Sequence, residues 1–193
     1  MTSSIYIQNL LIPTLTGPPY GSSVCSIGQL TIDVGEHALL YGFSDEEALV
    51  CGRLLTGGAS IRSGHVQIGD IVLETLSLVQ RIMFRLKTVG FIGSGLPRFS
   101  RLLRMSLRRD RFSDDDQSLA LLYQLDSIDR VLKKRPEIMI AVEPTLHLNP
   151  HDTVQFIHYL CAQCAKDNIT VLMMSSLPEV VSHFPSYYIV SQL

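Results

Sequence analysis

The feature that most constrains this 193-residue chain is a short apolar run that passes through one glycine into a helical pattern. The apolar run is Ala38–Tyr41, the glycine is Gly42, and the helical pattern covers Asp45–Leu55. Apolar residues three and four positions apart predict a helix there, and two glycines, at 57 and 58, predict its end. The order of strand, glycine turn and helix predicts that a helix N-terminus lies at the end of a strand.

The spacing of this segment follows that of a phosphate-binding loop, G-x-x-x-x-G-K-[ST]. With Gly42 as the first glycine, Glu47 stands at the second glycine, Ala48 at the lysine and Leu49 at the hydroxyl residue. The ammonium group that would bind phosphate is therefore missing, and three carboxylates, beginning with Asp45, crowd the helix start and would repel a triphosphate. We expect no active nucleotide hydrolase, and the question becomes one of binding.

Composition narrows the class of protein. Hydrophobic residues make up 46% of the chain and charged residues 18%, with a mean hydropathy of +0.23, which suits a chain that also buries surface against a partner. The net charge of -2 predicts no general affinity for nucleic acid. No apolar run reaches the roughly 18 residues of a spanning helix, and the first residues lack the pattern of a signal peptide. We therefore expect a cytoplasmic protein that does not span a membrane.

Strands that alternate with helices in the second half predict a mostly parallel sheet, and the strand-rich first half predicts an antiparallel portion. We expect a single domain covering residues 1–193. The predicted strands are 5–11, 24–34 (one or two strands, broken near Gly28), 36–41, a pair within 64–73, 88–92, 137–142, 168–175 and 187–190; the predicted helices are 45–55, one beginning near 77, 117–135, 151–166 and 178–181.

Three further segments carry a resemblance: Val89–Leu107, Ile138–Pro150 with its Val-Glu-Pro-Thr, and Thr170–Ser176. Together with the loop segment, and in this order, they resemble the nucleotide-binding domain of ABC transporters over nearly the whole chain. The resemblance implies an α/β fold of the P-loop NTPase class, with a mainly parallel sheet and an antiparallel β edge. It also implies a truncated helical subdomain at approximately 95–135, because the chain between Ser94 and Val142 is short for this family.

The chain departs from the family at several functional positions. The resemblance places Val142 at the Walker B aspartate, Ser94 at the Q-loop glutamine and Ser176 at the switch histidine, and no LSGGQ signature precedes the Walker B strand. These departures predict no metal site and no cofactor. Glu143 stands at the family's general-base position; either it is a vestige kept as turn architecture, or it still contributes to catalysis.

A cluster of arginines follows the Q-loop region, where the family borders the groove for a membrane subunit. Its spacing puts several of them on one face of a helix if the segment is helical. We consider a docking face for an acidic partner or anionic lipid headgroups, and alternatively a solvated face neutralised by nearby aspartates. The docking candidates are Arg98, Arg101, Arg104, Arg108 and Arg109.

Cys161 and Cys164 form a C-x-x-C within a predicted helix, which favours packing over metal or redox chemistry because no second ligand pair follows.

The leading hypothesis is a catalytically inactive ABC-ATPase-like subunit that acts as a structural or regulatory interaction module. Its expected partners are a membrane permease, an active ABC ATPase or a larger membrane-associated assembly, which would place it at the cytoplasmic face of a membrane. The alternative is an atypical nucleotide-binding half of a heteromeric ATPase, with Glu143 contributing. A third possibility is that the former pocket holds a less anionic ligand.

Overall fold

The computed structural model describes residues 4–13, 24–94 and 114–192. Helices cover Asp45–Leu55 (α1), Leu78–Lys87 (α2), Asp114–Leu132 (α3) and Pro150–Lys166 (α4), with 3₁₀ turns at Leu73–Thr75 and Pro178–His183. The strands are β1 (Ile5–Pro13), β2 (Val24–Ile32), β3 (His37–Tyr41), β4 (His65–Ile68), β5 (Ile71–Val72), β6 (Val89–Gly93), β7 (Ile138–Val142), β8 (Thr170–Ser175), β9 (Ser186–Ile189) and β10 (Ser191–Gln192).

Five strands form a parallel sheet in the order β6-β7-β8-β3-β9. All residues of β7 and β8 are buried, as expected for central parallel strands covered on both faces. Alternate residues face different cores. Ile140 and Leu172 join a cluster with α1 and the antiparallel strands, whereas Met139 and Val171 join a cluster with α3 and α4. The parallel sheet is therefore the middle layer of the fold.

The other five strands form an antiparallel sheet in the order β10-β2-β1-β4-β5. The predicted α/β class, with a mainly parallel sheet and an antiparallel portion, is confirmed. The predicted break in the second strand is wrong, because β2 continues through Gly28. The irregularity lies instead on β1, where Asn9 adopts a left-handed backbone with φ of 50° opposite Gly28.

The predicted helical subdomain falls partly outside the described residues. Helix α3 (114–132) lies within the predicted range, whereas residues 95–113, including the arginine docking candidates, are not described. Among the described residues, no helix is both long and apolar enough to cross a membrane.

Candidate functional site

The carboxyl ends of three neighbouring parallel strands bring the predicted site residues together. Gly42 follows β3, Glu143 follows β7, and β8 ends at Ser175, directly before Ser176. Ligands of open α/β sheets bind at this edge. The structure therefore assembles the residues that the sequence pattern selected from distant parts of the chain.

Helix α1 begins close to its strand. Its first residue is Asp45, and its N-cap is Ser44. The phosphate-loop frame has four residues between its two glycines, but here Phe43 and Ser44 alone lie outside the helix. Phe43 is 5% exposed and packs in the core that joins the two sheets. The connection from β3 to α1 is thus a short turn with an apolar anchor.

The start of α1 is closed by a capping box, in which an N-cap hydroxyl and a carboxylate three residues later bond to each other's backbone. The Glu47 N–H donates to Ser44 Oγ over 3.3 Å, and the Ser44 N–H donates to Glu47 Oε2 over 2.8 Å. The Ser44 hydroxyl also donates to Glu47 Oε2 over 2.9 Å. Glu47 is 6% exposed, so its carboxylate is held at the helix start.

The next two residues of the frame face in different directions. Ala48 is fully buried and belongs to the core that joins the sheets, whereas Leu49 is 46% exposed. The position assigned to lysine is therefore part of the apolar core of this fold.

Gly42 is required by its backbone and by a close neighbour. Its φ is 103°, in the region that side-chain-bearing residues rarely adopt. A Cβ atom here would lie 3.4 Å from the carbonyl oxygen of Val190. The Val190 N–H donates to the Tyr41 carbonyl oxygen over 2.9 Å, so the segment after β9 packs against the loop.

Glu143 bonds to the end of the neighbouring strand. Its Oε1 accepts from the Ser176 N–H over 2.6 Å, and its Oε2 accepts from the Ser175 hydroxyl over 3.4 Å. The residue is 1% exposed and has a left-handed φ of 46°. Burial raises the pKa of the Glu143 carboxyl above its usual range, and these hydrogen bonds act in the opposite direction, while nearby Asp45 adds to the rise.

Ser176 links Glu143 to the start of α1. While its N–H donates to Glu143, its hydroxyl donates to Asp45 Oδ1 over 2.8 Å. Direct hydrogen bonds from the Ser176 backbone N–H and hydroxyl therefore join the ends of β7 and β8 to the first residue of α1. We call Asp45, Glu143, Ser175 and Ser176 the strand-end network.

The Walker B position packs against α1. Val142 is fully buried, and a Cβ atom added to Gly52 would lie 2.5 Å from Val142 Cγ2. Glycine at 52 therefore lets the helix approach β7 at this valine. The Ser94 N–H donates to the Val142 carbonyl oxygen over 3.0 Å, which places the Q-loop position beside the same strand.

The described residues contain no group of three or more His, Cys, Asp or Glu side chains arranged to hold a metal ion. Cys161 and Cys164 are free thiols on α4. Burial raises their pKa values to about 11 and about 12, respectively. They are thiols rather than reactive thiolates at neutral pH.

Solved structures share this architecture. The ATP-binding cassette MJ0796 in a dimeric post-hydrolysis state bound to ADP and Pi superposes with a TM-score of 0.66 and 15% identity, covering 97% of this chain and 94% of that one. The chain has the fold of an ABC transporter ATP-binding cassette. The cassette cbiO1 from Clostridium perfringens, part of the ABC transporter complex cbiONQ, gives a TM-score of 0.67 and 13% identity, covering 97% and 84%.

A nucleotide-free ATP-binding cassette from an ABC transporter gives a TM-score of 0.61 at 12% identity, covering 97% of this chain and 87% of that one. No family model and no curated protein matches the chain. The structural match therefore establishes the cassette fold. At identities this low, the match shows the fold and nothing about activity or partners.

Within the cassette fold, sequence reasoning missed two features of the site. The capping box could have been predicted, because Ser44 and Glu47 have the S-x-x-E spacing that marks a helix start. The hydrogen bonds of Ser175 and Ser176 could not have been predicted from local pattern, because they join segments that lie more than 30 residues apart along the chain.

Proposed function

We propose that the chain is a cassette-fold subunit that does not hydrolyse nucleotide and serves as a structural or regulatory interaction module in a membrane-associated complex. The capping box of α1 carries this proposal. A phosphate-binding loop needs backbone N–H groups that are open to the ligand at a helix start. Here Glu47 accepts from the Ser44 N–H and hydroxyl, and Ser44 accepts from the Glu47 N–H. The chain's own carboxylate takes donors that a phosphate would use.

The donor chemistry also does not fit magnesium nucleotide. Ala48 at the lysine position is fully buried, and Val142 at the aspartate position packs against Gly52. Neither residue can offer a charge or an oxygen ligand, and magnesium prefers oxygen ligands. We therefore assign no reaction step to a bound nucleotide.

The environment of Glu143 supports a structural role for this residue. A general base must lie within reach of a positioned water, whereas Glu143 is 1% exposed and both of its oxygens already accept hydrogen bonds from Ser175 and Ser176. Its role in this proposal is to join β7 to β8.

The proposed partners are a membrane permease subunit, an active ABC ATPase or a larger membrane-associated assembly. One structural neighbour, cbiO1, is part of the transporter complex cbiONQ. An apolar composition of 46% hydrophobic residues supports a chain that buries surface in such an assembly. In this proposal the subunit lies at the cytoplasmic face of the membrane.

A second candidate is an atypical nucleotide-binding half of a heteromeric ATPase. The observation that favours it is the position of Glu143, a carboxylate kept at the carboxyl end of β7 beside the start of α1.

Titration calorimetry with Mg-ATP and Mg-ADP separates the two candidates. We expect no heat of binding at millimolar nucleotide, because the N–H groups of Ser44 and Glu47 already bond within the capping box and the lysine is missing. Micromolar binding by the unchanged protein would contradict the first candidate and support the second.

The partner proposal is tested separately, by purification from the native membrane in mild detergent. We expect a permease or an ABC ATPase in stoichiometric amount, identified by mass spectrometry. A lone chain that also shows no nucleotide binding would contradict the interaction module.

A further inference from the structure

Helix α2 contacts the rest of the protein through one side. Phe84, at 4% exposure, is its buried residue. A Cβ atom added to Gly57 would lie 3.3 Å from the Arg81 carbonyl oxygen and 3.4 Å from Phe84 Cδ1. The side of α2 that carries Arg81 and Phe84 therefore packs on the glycine turn after α1.

The other side of α2 presents a stripe of apolar side chains to solvent. These residues are spaced one and four positions apart, which aligns them along one face of a helix. A surface helix normally turns its apolar stripe to the core, so this orientation is reversed. Continuous exposed apolar surface marks an interaction site. The α2 stripe, with its exposed fractions, is Leu78 (65%), Val79 (69%), Ile82 (50%), Met83 (42%) and Leu86 (63%).

The stripe is bordered by positive charge. Helix α2 carries the exposed cations Arg85 and Lys87 and no acidic residue, whereas Arg81 lies on its packed side with a buried Nε. The backbone of Arg53, in the last turn of α1, lies near Arg85, because its carbonyl oxygen and Arg85 Nη1 each lie 3.3 Å from a Cβ atom added to Gly58. Within the described part of the chain, neither Arg85 nor Lys87 forms an ion pair. The complementary surface is therefore both apolar and anionic.

A symmetric contact between the α2 helices of two copies does not fit, because it would bring two sets of cations together. The stripe is also one exposed face of a single helix. The described groove between β6 and α3, about 370 Å³ and lined by residues such as Phe91, Tyr123 and Arg130, contains no α2 residue. A lipid bilayer accepts a protruding helix without a groove, and it supplies acyl chains and anionic headgroups at adjacent depths.

We propose that α2 binds the surface of an anionic membrane directly, with the α2 stripe in the boundary between headgroups and acyl chains and with Arg85 and Lys87 at the level of the lipid phosphates. This role does not depend on the proposed function, since it requires neither a partner subunit nor the state of the nucleotide site.

Vesicle co-sedimentation tests the apolar part of the proposal. The unchanged protein should pellet with phosphatidylcholine vesicles that contain about 30 mol% phosphatidylserine. The triple variant Leu78→Ser/Ile82→Ser/Leu86→Ser should lower the partition coefficient by more than about tenfold, because apolar contact drives insertion. The matched control is Leu119→Ser/Leu122→Ser on α3, where the side chains are 59% and 61% exposed; it should bind like the unchanged protein.

Charge reversal tests the anionic part. Arg85→Glu/Lys87→Glu should weaken binding about tenfold and remove the preference for phosphatidylserine over pure phosphatidylcholine, since each cation near the surface contributes to attraction. Lys133→Glu/Lys134→Glu, beyond the end of α3, is the matched reversal and should leave the preference intact. Circular dichroism and thermal unfolding of each variant check that it is folded.

A fluorescence probe then locates the helix, because the chain contains no tryptophan. In Met83→Trp the emission should shift to the blue with anionic vesicles, whereas in Leu122→Trp it should not move. If the unchanged protein stays in the supernatant with both kinds of vesicle, the proposal is wrong and the α2 stripe docks on a protein. Equal losses in the α2 and α3 serine variants would also overturn it.

Discussion

Helices α1 and α2 begin with the same capping motif but differ in how many of their residues are buried. Ser44 and Glu47 form the capping box of α1, and Ser77 and Gln80 form that of α2. In α2 the Ser77 N–H donates to Gln80 Oε1 over 2.9 Å. Yet α1 buries six residues and α2 buries one.

The difference teaches that local sequence sets where a helix starts, whereas neighbouring elements set which of its faces is buried. Helix α1 lies against β1, β7 and β8 and so is covered by the two sheets. Helix α2 has contacts at the glycine turn and β6. The first helix stabilises the strand ends, and the second leaves its apolar stripe for another surface.

The largest effect should come from removing the one buried anchor of α2. Phe84→Ala should lower the free energy of unfolding by about 3–5 kcal/mol, because it deletes a buried aromatic side chain and leaves a cavity. Leu86→Ala on the exposed stripe should change it by less than about 0.5 kcal/mol. Urea unfolding measures both. Similar losses in the two variants would show that the stripe is buried in the folded protein.

Removing the two N-cap hydroxyls should give a smaller difference in the free energy of unfolding, again with the larger loss at the more buried site. Ser44→Ala should cost about 1–2 kcal/mol and Ser77→Ala about 0.5–1 kcal/mol. The cap of α1 has the larger effect because its hydroxyl also donates to the nearly buried Glu47 carboxylate. Thermal and urea unfolding of both variants provide the comparison. An equal or larger cost at Ser77 would contradict the importance given to burial.

The smallest expected effect is a pH dependence at the strand-end network. Burial raises the pKa of Glu143 in the folded state above its value in the unfolded chain, so the folded protein holds this proton more tightly. The resulting stabilisation is fully present below the unfolded pKa and is lost as pH rises through the folded pKa.

The variant Glu143→Gln carries no such proton and retains an oxygen that can accept from Ser176. The stability of the unchanged protein minus that of the variant should therefore fall as the pH is raised from about 4, near the ordinary pKa of a glutamate, through neutrality. Unfolding curves collected across this range measure the difference. A constant or rising difference would show that the carboxyl is not held in the environment described.

Much of the fold follows from sequence pattern. The bounds of α1 match the predicted 45–55, and Ser77 marks the start of α2, because apolar spacing and capping are local properties. Gly28 was misread as a strand break, since a glycine within a strand signals an irregularity without showing which of two paired strands carries it. The predictions for the arginine cluster and the helical subdomain depend on residues 95–113, which are not described.

By itself, the sequence determined most of the order of elements, the presence of both parallel and antiparallel strands, and the set of residues at the strand ends, because periodicity, turn residues and helix starts depend on near neighbours along the chain. The tertiary structure decided that Ser176 joins Glu143 to Asp45, that Ala48 is part of the core, and that the stripe of α2 faces solvent. These outcomes depend on which surfaces meet when strands that are distant in sequence pair. Because the hydrophobic effect is non-directional, a local pattern of apolar residues does not show which surface will cover them.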